Sequence, residues 1–354
     1  MEEVALTKEK KNFDFVDTIR CIAMIGIVFE HAVYNGSDIF QLYSAKHIIY
    51  IGLLQLSKFG TIAFFVLAGF LLGSKFFSYS SWEYFKRRLS TVFVPWLIWS
   101  IIFILALLMQ KYIVLKDKFV LGDLLWENIK LTYLYTNYWF IINFMFCIGL
   151  LLIFKRYLYQ WWLGLLLFLA SLVYSVNVYF EWFIPSHTIA IFGFVFFLWL
   201  GAMLNKKWDL VEAKIKKTPY IVLIVLFLAS FILSVLDTVN LIEHDSVDPY
   251  NTLRISNVIY SLATIFLFFK IKNFKFIKYL KPRETTFGVY LIHYIILVIL
   301  LPELLRPLKL PAIQEMTIGG LIFYVLCRFV LVYGITMFLI WSINKSRYRW
   351  LIGR

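Results

Sequence analysis

Arg20 and His31 are the side chains of this sequence best equipped for chemistry, and they stand eleven residues apart in the stretch DTIRCIAMIGIVFEH, Asp17 to His31. On an α-helix that separation is about three turns, so both fall within about 20° of one face and about 16 Å apart along the axis. A guanidinium clamps phosphate or a carbonyl oxygen. An imidazole titrates near neutral pH and serves as a general base. Asp17 lies one turn before Arg20, and Glu30 is next to His31. Their neighbours are apolar, so the stretch reads as a membrane helix, where ionisable groups are costly unless they face a polar cavity or a partner. We therefore expect an active site here. Glu30 points about 100° away from His31 and is not expected to orient the imidazole.

The elements that must position these groups are membrane helices. Of 354 residues, 62% are hydrophobic and 16% charged, with mean hydropathy +0.80. Soluble domains carry charges on roughly a quarter of their residues. Ten apolar stretches of spanning length follow one another: 14–35, 48–74, 90–110, 137–154, 161–177, 187–204, 219–236, 253–270, 286–305 and 316–342. The expected fold is an all-α polytopic membrane protein with about ten transmembrane helices and both termini cytoplasmic. Residues 1–13 would form a cytoplasmic segment, 14–342 one transmembrane domain, and 343–354 a cytoplasmic tail. Orientation comes from basic residues: with the N-terminus inside, 24 Lys and Arg fall in inner segments, whereas the outer loops hold only Lys46, Lys111, Lys116, Lys118, Lys130, Arg306 and Lys309. The net charge of +14 thus reflects topology, and no nucleic acid is expected as a partner. Cys21, Cys147 and Cys327 lie in apolar segments without metal-ligand spacing, so neither disulfide nor metal is expected. The polar start lacks a small-residue cleavage site, which argues against a removed signal peptide.

Several other groups accompany the first helix. Lys58 sits about a third of the way into the second span, either snorkelling or facing a cavity. Lys86, Arg87 and Arg88 precede the third span as a topology signal or as a cradle for the phosphates of an anionic cofactor. His293 lies in the ninth span with Tyr290 three residues earlier on the same face. His47, His187 and His244, at span edges or in outer loops, carry no comparable signal. The loop from Asp237 to Thr252 holds Asp237, Glu243, Asp245 and Asp248 without Lys or Arg; we read it as charge exclusion from the basic side in preference to a recognition surface. The loop 111–136 mixes lysines with aromatics and is expected to be partly helical and to lie on the membrane.

These stretches together resemble the acyltransferase-3 family of polytopic bacterial membrane O-acyltransferases. Arg20 and His31, preceded by Asp17, match its basic residue, ten residues and histidine. Phe64, Phe65, Gly69 and Phe70 match a second element, with Ala68 where the family usually has Ser. Arg88, Pro95, Trp96 and Trp99 match a third, with Thr91 where many members carry Arg. The pair Trp139–Phe140 and the Tyr-Leu-x-His run at Tyr290–His293 complete the set. The resemblance implies a stand-alone enzyme in the bacterial inner, or plasma, membrane, without an extracytoplasmic hydrolase-like domain. It implies transfer of an acyl group, usually acetyl, from cytoplasmic acyl-coenzyme A to a hydroxyl of a glycan, exopolysaccharide or lipid-linked sugar. On that reading Arg20 and Lys86–Arg88 meet the coenzyme, and His31 activates the acceptor or carries the acyl group. Asp17, Glu30, Lys58, Trp139, Tyr290 and His293 support the cavity. The rival readings are a transporter or flippase for a lipid-linked or acidic solute, for which no internal repeat is found, and a ligand-binding membrane sensor. Acceptor, acyl length and oligomeric state are not encoded in spacing.

Overall fold

A computed structural model describes residues 13–36, 40–73, 80–116 and 120–354. The expected N-terminal segment before Phe13, with Lys8, Lys10 and Lys11, lies outside the described residues, as do Lys75 and Lys118. Among the described residues every regular element is helical: α1 (Asp14–Val33), α2 (Ala45–Ser57), α3 (Gly60–Gly73), α4 (Ser81–Arg88), α5 (Val94–Leu115), α6 (Leu121–Tyr135), α7 (Trp139–Ile153), α8 (Trp161–Phe180), α9 (Val195–Lys206), α10 (Trp208–Lys217), α11 (Tyr220–Glu243), α12 (Ile255–Ile271), α13 (Ile277–Leu280), α14 (Pro282–Ile295), α15 (Leu301–Leu305) and α16 (Ile318–Asn344). Side chains set several starts. Ser44 caps α2, Thr317 caps α16, and Ser80 with Glu83 forms a reciprocal capping box on α4.

The chain is a multi-pass membrane protein. Six helical stretches among the described residues are long and apolar enough to cross a bilayer, and α6 with α7, bent by 62° at their junction, would make a seventh. Length and apolarity thus support six or seven of the ten expected spans. The shortfall is physical: α9 and α12 are short, and α1 is diluted by its charged groups. The outer helices turn apolar side chains outward, as lipid requires. On α11, Ile221, Val225, Leu228, Ile232 and Leu236 form an exposed stripe at helical spacing.

Contacts at the two ends of the bundle fix the topology. Thr18 Oγ1 donates to the Lys272 carbonyl (2.7 Å), Arg283 pairs with Asp17 (2.8 Å) and Arg354 with Glu284 (3.1 Å), so the start of α1, the end of α12, the start of α14 and the C-terminal tail share one end. This is the basic end, the one that the charge bias leads one to expect on the cytoplasmic side. At the other end Tyr43 bonds Glu243, and Lys46 donates to the Gln314 carbonyl (2.8 Å). The segment expected to lie on the membrane is helical as α6, which packs along α5. Near the outer end, fully buried Arg254 stitches α2, α11 and α12: it donates to Gln55 Oε1 (2.8 Å), to the carbonyls of Ser234 (3.0 Å) and Asn251 (3.2 Å), and lies 3.6 Å from Asp237. A buried guanidinium persists only when saturated in this way.

α3 and α9 cross so closely that a methyl group fits at neither contact glycine. A Cβ on Gly69 would stand 1.8 Å from the Leu198 carbonyl oxygen, and one on Gly201 2.0 Å from that of Val66. Such small-residue crossings drive helix association where lipid removes the hydrophobic incentive. Gly201→Ala or Gly69→Ala is expected to destabilise the protein by about 1–3 kcal/mol, the cost of overpacking. Gly334→Ala on α16, where a Cβ meets nothing within 4 Å, is expected to leave stability unchanged. Thermal unfolding midpoints of the three variants in one detergent provide the check.

Candidate functional site

One cavity of ≈ 320 Å³ runs along α1 from Arg20 to His31. Arg20, Arg88 and Arg283 line its basic end. Asp17 bridges two of them, lying 2.9 Å from Arg20 Nη1 and 2.8 Å from Arg283 Nε. Arg88 is aimed by Tyr84, whose hydroxyl accepts from its Nε at 2.7 Å. Three guanidiniums against one carboxylate leave the mouth net positive. The first turn of α14 also lines it through Pro282, Arg283 and Thr286, adding the positive end of a helix dipole. Such a mouth suits an anion of more than one charge. Of the expected basic trio only Arg88 takes part; Lys86 and Arg87 are exposed and do not line the cavity. Lys86 and Arg87 turn to the exposed side of α4, while Arg88 is drawn to the cavity side by its bond to Tyr84.

Deeper in, the lining turns apolar with Met24, Ile27, Phe64, Ala68 and Phe144. Tyr290 and Asn137 interrupt it. The Tyr290 hydroxyl donates to the Asn137 carbonyl (2.7 Å), Asn137 Nδ2 donates to the Tyr290 carbonyl (2.9 Å), and Tyr138 donates to the Leu291 carbonyl (2.9 Å). These bonds satisfy the non-helical break between α6 and α7, as backbone at membrane depth requires. They leave Asn137 Oδ1 buried without a hydrogen-bond partner among the described residues.

His31 stands beyond, with its Nδ1 3.0 Å from Nε2 of His293 on α14. The tautomers follow from the acceptors around them. His293 Nδ1 lies 2.7 Å from the Val289 carbonyl, which can only accept, so that nitrogen carries the proton and a neutral His293 presents Nε2 as an acceptor. His31 must then donate from Nδ1, which leaves its Nε2 as a free lone pair. His293 is fully buried behind His31, which itself lines the cavity. The expected pairing of Tyr290 with His293 therefore divides into two tasks: Tyr290 shapes the wall, and His293 orients His31.

Lys58, at the break between α2 and α3, pairs with Glu30 at 2.7 Å with little exposure of either side chain. It does not snorkel. Glu30 is turned to Lys58 and not to His31. Trp139 lines the outer end, with its ring against His187 at 5.3 Å. The sequence reading set His187 and the acidic loop aside, yet His187 lines the same cavity and its Nδ1 lies 2.8 Å from Asp248 Oδ2. Burial alone would push the Asp248 carboxyl up, but the charge and hydrogen bond of His187, with the charge of Lys58, hold it below the ordinary carboxylate value. Arg283, Asn137 and Thr252 are further lining residues that the sequence reading passed over; only Arg283, one residue into a proline-started helix, had a local signal. Among the described residues no three His, Cys, Asp or Glu side chains gather as a metal site.

Removing one partner of the Lys58–Glu30 pair strands the other charge. Lys58→Met is expected to cost about 3–5 kcal/mol, and Lys58→Met with Glu30→Gln to recover most of it. A double-mutant cycle on unfolding midpoints tests this; equal losses in the single and double variants would refute the coupling.

No curated protein and no solved structure matches the chain. A family model described as an acyltransferase domain matches residues 13–345, nearly the whole length, and takes in every element of the cavity except the C-terminal tail. The chain belongs to the acyltransferase-3 family of membrane acyltransferases.

Proposed function

We propose that this acyltransferase takes its acyl group, acetyl by family preference, from cytoplasmic acyl-coenzyme A and delivers it to a hydroxyl of a cell-envelope glycan, exopolysaccharide or lipid-linked sugar, working in the bacterial plasma membrane. The observation that carries the reading is one continuous cavity joining a three-arginine mouth to the free Nε2 of His31. Arg20, Arg88 and Arg283 meet the phosphates of the coenzyme. The thioester then has to reach His31, about 16 Å further along α1, a distance suited to an extended pantetheine arm. That arm carries amide groups, and Asn137 is a polar residue on the wall it would pass. Apolar walls between mouth and base exclude water that would hydrolyse the thioester.

A sugar hydroxyl is far too weak an acid to attack unaided near neutral pH, so a positioned imidazole answers a chemical need. His31 meets it either by taking the hydroxyl proton or by receiving the acyl group. Its tautomer suits both, because each uses the Nε2 lone pair that the bond to His293 leaves free.

Purified protein in lipid nanodiscs, given radiolabelled acetyl-coenzyme A and a cell-envelope glycan extract, is expected to label the glycan. His31→Ala should lower the rate by at least about 10²–10⁴-fold, the usual contribution of a positioned base; near-wild-type transfer by that variant would overturn the assignment. Arg88→Ala should raise the KM for the donor by about 10–100-fold, corresponding to a charged hydrogen bond of about 1.5–3 kcal/mol, with kcat little changed. A fall in kcat alone would remove Arg88 from the mouth's binding role.

A further inference from the structure

The cavity presents two imidazoles, and they are backed differently. His31 is held from behind by a neutral ring, His293. His187 is held by a carboxylate: its Nδ1 lies 2.8 Å from Asp248 Oδ2, so that in the neutral ring Nδ1 donates and Nε2 is the acceptor. Asp248 is itself fixed. Asn251 Nδ2 donates to the same oxygen at 3.1 Å, the backbone N–H of His187 approaches it at 3.4 Å, and the Asn251 carbonyl is gripped by buried Arg254. His187 and Asp248 come from two different outer loops, and both His187 and its ring neighbour Trp139 line the end of the cavity opposite the arginines.

A carboxylate behind an imidazole stabilises the imidazolium that forms when the ring takes a proton, and it fixes the tautomer that can do so. A neutral imidazole gives no such charge stabilisation. It can instead take up the Nδ1 proton of its partner when that partner's Nε2 becomes bonded to carbon. We infer that His187, oriented by Asp248, is the base that activates the acceptor hydroxyl, and that His31 is the transient carrier of the acyl group. This rests on the acyl-coenzyme A reading above and divides its chemistry between the two rings.

The two half-reactions balance. In the first, His31 Nε2 attacks the thioester carbonyl carbon, an N–C bond forms, the C–S bond breaks and the coenzyme leaves as thiolate, while the Nδ1 proton of His31 passes to His293 Nε2. The thiolate takes a proton from water at the basic end. In the second, the acceptor oxygen attacks the acyl carbon and its proton goes to His187 Nε2. The new C–O bond forms, the N–C bond breaks, His293 returns the proton to His31 Nδ1, and His187 releases its proton to water at the outer end. Once Nε2 of His31 is acylated, the only lone pair left on that ring is on Nδ1, which faces His293 at 3.0 Å and is turned away from the acceptor, so a second base is required. His187 is a catalytic residue in this scheme and Asp248 a positioning residue.

The half-reactions can be read separately. Exchange of tritiated coenzyme A into acetyl-coenzyme A without acceptor reports the first; transfer of labelled acetyl to the glycan extract requires both. Wild type should do both and His31→Ala neither. His187→Ala, His187→Gln and Asp248→Asn should keep exchange close to wild type while transfer falls by about 10²–10⁴-fold, a split that a merely structural role would not produce. Transfer at the wild-type rate in the His187 variants, or joint loss of exchange and transfer in both of them, overturns the inference. Wild-type transfer without any exchange overturns the acyl-carrier role of His31 while leaving the acyl-coenzyme A reading standing, whereas wild type that neither exchanges nor transfers ends both.

Discussion

α1 runs among α2, α3, α12, α14 and α16 while carrying Asp17, Arg20, Glu30 and His31 through apolar surroundings. A bilayer supplies no water to such groups, so each has to be met by a side chain from elsewhere in the chain. Arg283 and Arg20 answer Asp17, Lys58 answers Glu30, and His293 answers His31. These pairings fix more than charge. α14 contributes Arg283 at one end of α1 and His293 at the other, so it can neither slide nor rotate against α1 without exposing a group at each end. The break between α2 and α3 falls where Lys58 has to reach Glu30. The cavity lies along this polar face of α1, between α1 and the helices that satisfy it.

Two wide π-helical turns adapt the surrounding helices to that arrangement, and each has a proline just beyond it. Residues Leu89–Phe93 form one, directly after Arg88 and before Pro95; Ile296–Leu300 form the other, just past His293 and before Pro302. Proline lacks a backbone donor and clashes with the carbonyl four residues earlier, so a regular α-turn cannot pass through it. A π-turn widens the helix there and re-aims what precedes it, which is why such turns gather at functional positions. Ser90 and Thr91 hydroxyls accompany the first by donating to the Arg87 carbonyl at 3.0 and 2.8 Å. Arg88, Thr91 and Val92 thereby come to line one cavity wall.

What could be read from the sequence was whatever one helix encodes by itself. The Arg20–His31 spacing depends only on α-helical geometry, and the structure keeps both on the cavity. The all-helical membrane fold was equally legible, because long apolar runs leave few alternatives. Of Lys86–Arg88, open to reading as a topology signal or a phosphate cradle, the structure brings Arg88 to the cavity and leaves Lys86 and Arg87 exposed; a run of basic residues does not by itself say which of them turns inward. Pairings between distant segments were hidden. His187 and Asp248 are 61 residues apart in loops without periodicity, and only the folded bundle brings them together. Lys58 showed as an anomaly, but its partner on α1 could not be named from spacing.

The two ends of the cavity differ in a way that suits group transfer without a through-passage. One end is net positive, built from guanidiniums suited to an anion that take no part in proton exchange near neutral pH. The other offers a carboxylate-backed imidazole, which can exchange a proton. Between them Met24, Ile27, Phe64 and Phe144 form apolar wall, interrupted by Asn137 and Tyr290, a stretch less favourable to ions than either end. A solute crossing from end to end would have to traverse that stretch whole. In the proposed reaction only an acyl group does so, attached first to a thioester arm and then to an imidazole, while the charged portion of the donor stays at the arginines and the polar acceptor at the outer end. The apolar middle that would obstruct transport of a polar solute is the feature that lets a small neutral group cross the site while the two polar substrates remain apart.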